Sequence, residues 1–129
     1  VYSNLENDAS NQDTYEDFLL ILEEAFTKSI QCLKNNRFAV IVVGDIRDKK
    51  GFYYAFPDDI KRIFIKNGCY LYNDMILVES LGTLPQRVQK SMNNRKVGKC
   101  HQNVIVFYKG DPKKIQDNYK KIEVLYNEE

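Results

Sequence analysis

The sequence has little of what metal and disulfide chemistry needs: one histidine, His101, and three cysteines, Cys32, Cys69 and Cys100. The cysteines are odd in number and form no Cys-x-x-Cys pair, which argues against a disulfide framework and favours a reducing cytoplasm. Cys100 and His101 are adjacent, whereas Cys32 falls in a predicted helix and Cys69 at a predicted strand start, so no zinc ligand set is spaced for binding. Long apolar runs are also missing. The longest, Phe38 to Val43, is six residues against the ~20 of a membrane helix, and no basic-then-apolar signal peptide opens the chain. A membrane-spanning helix is thereby excluded. Neither Gly-x-x-x-x-Gly-Lys-Ser/Thr nor Gly-x-Gly-x-x-Gly occurs, and no Gly-x-Ser-x-Gly stands ready to use His101 in a triad. Asp74 and Glu79 are followed by Ser80-Leu81 where a metal-dependent nuclease needs lysine. The chain opens on Val1, and its methionines are Met75 and Met92, which points to further sequence upstream.

What is present suits one globular domain spanning 1–129: 43% apolar and 29% charged residues, with nine tyrosines and seven phenylalanines for a core. The net charge of +1 hides two opposed regions. Residues 1–36 hold seven acids and two bases, while residues 80–110 hold Arg87, Lys90, Arg95, Lys96, Lys99 and Lys109 and no acid. A run of that kind fits a surface facing a polyanion, where any carboxylate would oppose binding, and it fits a solvated loop as well.

Periodicity gives the order α-β-α-β-β-α. Asp13 or Thr14 caps a first helix whose apolar stripe is Tyr15, Phe18, Leu19, Leu22, Phe26, Ile30 and Leu33, ending near Lys34. Cys32 reads as a small core residue beside that stripe. Phe38 to Val43 is apolar on both faces and reads as a central parallel strand with helices on both sides. Pro57 opens a short helix through Ile60, Ile63 and Phe64 that Asn67-Gly68 closes. Strands follow over 69–79 and 103–108, joined by a long basic loop without a helix, and Asp111-Pro112 opens a last helix over 113–126. The class is α/β, with the last two strands either antiparallel or linked by a crossover through the loop. In such sheets ligands bind beyond the strand ends, which selects Gly44-Asp45-Ile46-Arg47-Asp48-Lys49-Lys50-Gly51.

Several segments together resemble the amino-group DNA methyltransferases, which use S-adenosylmethionine to methylate adenine N6 or cytosine N4. Tyr2-Ser3, Asn7-Asp8-Ala9-Ser10-Asn11 and Tyr15-Glu16-Asp17-Phe18-Leu19 are similar to the stretch after the catalytic Asp-Pro-Pro-Tyr/Trp motif of that family. Leu33 to Phe38 with Val40-Ile41-Val42-Val43-Gly44-Asp45-Ile46-Arg47 resembles its fifth strand and loop, and Gly68 to Asp74 and His101 to Lys109 its sixth and seventh strands.

The resemblance implies the C-terminal part of a Rossmann-like methyltransferase sheet, with helices on both faces and the last strand antiparallel, inserted between the fifth and sixth. Neither Asp-Pro-Pro-Tyr nor Phe-x-Gly-x-Gly is present, so no catalytic residue is assigned and the cofactor is expected to bind mainly through upstream sequence. The implied partner is DNA, in a site-specific modification system. Tyr2, Ser3, Asp45, Arg47 and Asp48 would shape the rim of the pocket for a flipped base, Asp45 serving equally well to hold its loop. Arg87, Lys90, Arg95, Lys96, Lys99 and His101 would contact DNA, arginine being the better reader of guanine. A non-catalytic nucleic-acid-binding module remains the alternative, and an unpaired edge beside Phe38 to Val43 would invite self-association.

Overall fold

The computed structural model describes Leu5 and residues 8–123. After a 3-10 turn at Ala9–Asn11 come α1 (Tyr15–Cys32), β1 (Arg37–Val43), α2 (Phe56–Lys66), β2 (Tyr70–Val78), α3 (Leu84–Ser91), β3 (His101–Lys109) and α4 (Ile115–Asn118). Thr14, rather than Asp13, caps α1: its hydroxyl accepts the Asp17 amide at 3.1 Å, and Glu16 and Asp17 sit where the helix dipole favours acids. At the other end of α1, the Lys109 ammonium donates to the Ile30 and Leu33 carbonyls at 2.6 and 2.7 Å. One cation of the basic run is therefore committed to closing a helix. Pro57 stands in the first turn of α2, and Asn67 and Gly68, the latter at φ +83°, end it.

The sheet order is β1-β3-β2, with β3 antiparallel to both neighbours. This is the inserted antiparallel strand that the family resemblance implies. Arg37 pairs with Lys109 through to Val43 with Asn103, and Tyr70 pairs with Tyr108 through to Val78 with His101. A bulge between Leu71 and Asn73 interrupts the second ladder. Alternation then sorts the side chains. Ile105 and Phe107 of β3 meet Ile30 of α1, Ile60 and Phe64 of α2, and Cys69, with Phe64 and Phe107 stacked at 4.2 Å. On the opposite face Phe38, Tyr72, Tyr108 and Tyr119 form a second aromatic group. Tyr108 is buried, and its hydroxyl donates to the Asp111 carbonyl at 3.0 Å.

Four expectations are corrected. β1 is not a strand buried on both faces: Val40 and Val42 are 56% and 53% exposed, because they point to the face that Tyr119 covers only near Phe38. The 80–100 stretch is not helix-free. Pro85 in the first turn and the Leu84/Val88 pair nucleate α3, which packs those two side chains against Gly98 on the way into β3. The last helix does not reach residue 126: Asp111 caps a 3-10 turn, α4 ends at Asn118, and Tyr119 turns extended (φ −126°, ψ 137°) to lie against Phe38, with residues 124–126 outside those described. Cys32 is exposed, since it lies two residues and about 200° round the helix from buried Ile30. Cys69 is the core thiol, and burial pushes its pKa up.

These contacts can be tested at two places. Gly110 has φ +128° and sits on Asn36, whose backbone nitrogen would lie 2.7 Å from an added Cβ. Gly110→Ala is expected to cost about 1–3 kcal/mol in urea unfolding, since it both strains the backbone and displaces the Asn36 turn. Lys61 of α2 bonds Asp74 of β2 at 2.8 Å, a hydrogen bond that raises its pKa despite partial desolvation. A raised lysine pKa stabilises the fold below the unfolded value and loses that contribution as pH climbs through the folded one. Lys61→Met should therefore lower stability by under about 1 kcal/mol at neutral pH, the pair being part exposed, and the gap from the parent should close in strongly alkaline buffer.

Candidate functional site

At the end of β1 the chain doubles back into a small hairpin. The Tyr54 amide donates to the Ile46 carbonyl at 2.9 Å, the Asp48 amide to the Phe52 carbonyl at 2.8 Å, and the Gly51 amide to the Asp48 carbonyl at 3.0 Å. The Asp48 carboxylate accepts the Phe52 amide at 2.8 Å, so this residue closes the turn. Gly51 takes φ +97°, and Lys96 lies against it where a side chain would stand. Arg47 and Tyr53 face each other across the hairpin as an isolated antiparallel bridge. The Arg47 guanidinium lies 3.7 Å from the Tyr53 ring centroid and donates to the Gly51 carbonyl at 2.7 Å. That occupies one of its five donors.

The Lys99 ammonium approaches the same ring, 5.0 Å from its centroid, and forms an ion pair with Asp45. Gly44, Asp45, Arg47, Tyr53, Lys99, His101 and Gln102 line a cavity of about 450 Å3 between the end of β1 and the start of β3. Gln102 is held by a 2.6 Å bond to the Glu79 carboxylate. Two cations approach one aromatic ring here and one carboxylate balances one of them, so the cavity suits an anion.

The residues expected to form a site divide accordingly. Asp45, Arg47, Lys99 and His101 come together around this cavity. Asp48 holds the turn, and Tyr2 and Ser3 lie outside the described residues. Arg95, left-handed at φ 56°, folds back to donate to the Met92 and Asn93 carbonyls at 3.1 and 3.3 Å. Arg87 and Lys90 are exposed on α3, Lys90 on the side away from its Leu84/Val88 contact with Gly98. Lys49, Lys50, Arg87, Lys90 and Lys96 make no ion pair among the described residues. Sequence reasoning missed Tyr53, Phe52 and Gln102. The usable signal for Tyr53 was hairpin register: a turn at Asp48-Lys49-Lys50-Gly51 puts positions 47 and 53 on one face.

A three-stranded sheet with a central antiparallel strand, helices packed on it and a polar loop at the end of β1 matches part of a methyltransferase-like fold. Crystal structures of a Thermus thermophilus protein assigned as a DNA modification methylase share it. The selenomethionine derivative is 20% identical with a TM-score of 0.60, covering 84% of this chain and 41% of that one. The complex with S-adenosyl-L-methionine is 18% identical with a TM-score of 0.61, covering 95% of this chain and 47% of the other. The chain thus spans less than half the length of these structures. No protein-family model matches the sequence, and no curated protein matches it.

S-adenosylmethionine carries a sulfonium cation. The cavity's Arg47 and Lys99 would repel that charge, so no methyl-transfer step is derived through them. Among the described residues no three His, Cys, Asp or Glu side chains gather to hold a metal, and no helix is long and apolar enough to cross a membrane.

Asp48→Ala should remove the turn's side-chain acceptor and cost about 1 kcal/mol locally. Hydrogen exchange is expected to speed up at the Phe52 and Tyr54 amides while the β3 amides keep their protection; unchanged exchange at Phe52 would show that the turn does not need its aspartate.

Proposed function

We propose that this chain is the DNA-contacting part of a site-specific methyltransferase that transfers a methyl group from S-adenosylmethionine to an exocyclic base amino group, adenine N6 or cytosine N4. The observation that carries the reading is the split among its cations: Lys49, Lys50, Arg87, Lys90 and Lys96 make no ion pair among the described residues, on a fold shared with a DNA modification methylase. Each phosphate neutralised by such a group releases condensed counterions, which drives binding.

A base must leave the stack before its amino group reaches a methyl donor, at a cost of a few kcal/mol that phosphate contacts offset. Arg47, Lys99 and His101, with Tyr53, form the rim where the extruded nucleotide's phosphate or base edge would be met. Asp45 orients Lys99, and Asp48 fixes the turn. Catalytic and cofactor-binding groups belong to sequence carrying the Asp-Pro-Pro-Tyr and glycine-rich motifs, and the protein acts in the cytoplasm as part of a restriction-modification system.

The absence of both motifs from the chain favours one second reading, a nucleic-acid-binding module without catalysis. Both motifs in frame upstream of Val1 would remove it. The outer edge of β1, open among the described residues, also offers a place for a second copy to pair.

DNA affinity measured across a salt series tests the reading. Replacing Arg87, Lys90 and Lys96 together by alanine should reduce the slope of log affinity against log salt by about 3, at ~0.9 per phosphate contact. An unchanged slope, or no DNA binding by the parent chain, would refute a phosphate-contacting role for α3 and the segment after it.

A further inference from the structure

The hairpin after β1 carries an apolar side chain where a soluble turn has no structural need of one. Phe52 is 70% exposed, belongs to neither the main core nor the aromatic group on the opposite face, and makes no ring contact among the described residues. Its backbone is nevertheless held firmly. Asp48 closes the turn through both its amide and its carboxylate, Arg47 ties in the Gly51 carbonyl, and Arg47 packs on Tyr53. Phe52 is therefore presented at little cost in backbone entropy, flanked by exposed Lys49 and Lys50 in the turn and by Lys96 against Gly51.

A rigid turn whose Phe52 ring projects further than the half-exposed Tyr53 beside it, among cations that make no ion pair among the described residues, has the chemistry of a DNA wedge. Lysines hold the phosphates on either side while an apolar side chain enters a base step and takes over the lost stacking. An acidic protein partner would satisfy the lysines but gives no reason for a phenylalanine 70% exposed on so small a tip.

We propose that the Asp48–Phe52 turn is a duplex-opening element: Phe52 inserts between bases, or fills the gap left by an extruded one, while Lys49, Lys50 and Lys96 contact the adjoining phosphates. This rests on the DNA-binding reading above and adds the part of the molecule that distorts the duplex. Phe52 positions the nucleic acid and takes no part in bond making.

The test uses the whole 129-residue chain and a duplex containing 2-aminopurine, whose fluorescence rises when it is unstacked. The parent chain at saturation should raise the signal several-fold. Phe52→Ala should abolish that rise and weaken binding about tenfold without changing the salt slope, because a phenyl ring releases no counterions; its melting temperature should match the parent's, the ring being exposed. Lys49→Ala/Lys50→Ala should lower the slope by about 2. If Phe52→Ala keeps both the fluorescence rise and the affinity, the wedge is overturned while the DNA-binding reading stands. If it leaves DNA binding intact and instead removes concentration-dependent self-association in light scattering, Phe52 is a protein contact and the wedge is again overturned. Absence of DNA binding by the parent chain would refute both.

Discussion

The nine residues of β3 supply both ladders of the sheet, so among the described residues β1 and β2, which run parallel to each other, share backbone hydrogen bonds only with it. Its side chains are committed on both faces: Ile105 and Phe107 against the helices, Val106 and Tyr108 on the other side, all at most 7% exposed. Its last residue, Lys109, closes α1 as well. Removing a strand so placed would expose the apolar face of each neighbour and leave two rows of backbone groups unpaired, which is why the short 37–43 and 70–78 segments have an ordered arrangement at all. The 3-10 turn, α4 and Tyr119 after it are anchored to the same strand through Gly110, Asn36 and the Phe38–Tyr108 contact.

The candidate site inherits its geometry from this arrangement. Because β3 runs antiparallel beside β1, the start of β3 lies next to the end of β1. Lys99 and His101, more than fifty residues further along the chain, thereby reach Asp45 and Arg47. Tyr53 then draws two cations to one ring through its quadrupole, while Asp45 neutralises one of them. What is left over is positive, and the same folding that concentrates these charges withdraws Lys109 and turns Arg95 back on its own backbone. The acid-free run of residues is thus not a uniform basic surface. It is divided between cations that build the fold, cations that shape the cavity and cations left facing water.

Much of this was legible from local chemistry. α1 and α2 followed from stripes at three- and four-residue spacing bounded by Thr14, Pro57 and Gly68, because helix periodicity and caps are written within a turn or two of the residues they govern. Asp45, Arg47, Lys99 and His101 were marked out by charge and by their places at strand ends. The helix at Leu84–Ser91 was obscured, since its only apolar pair packs on Gly98 rather than on the core. Tyr119 escaped for the opposite reason: local signals favoured continuing the helix, and aromatic packing against Phe38 outweighed them.

Residue type and short-range spacing were enough for the first helices, the apolar strands and the uneven charge, because each of these is written within a few neighbouring positions. Three-dimensional packing alone settled which face of β1 is covered, which of the basic residues are already committed, and that Tyr53 and Phe52 take opposite roles in the hairpin. Apart from the Arg47–Tyr53 pairing, which the local turn at Gly51 sets, those outcomes depend on partners distant along the chain: the antiparallel register of β3 and the approach of Lys96 and Lys99 fix them together.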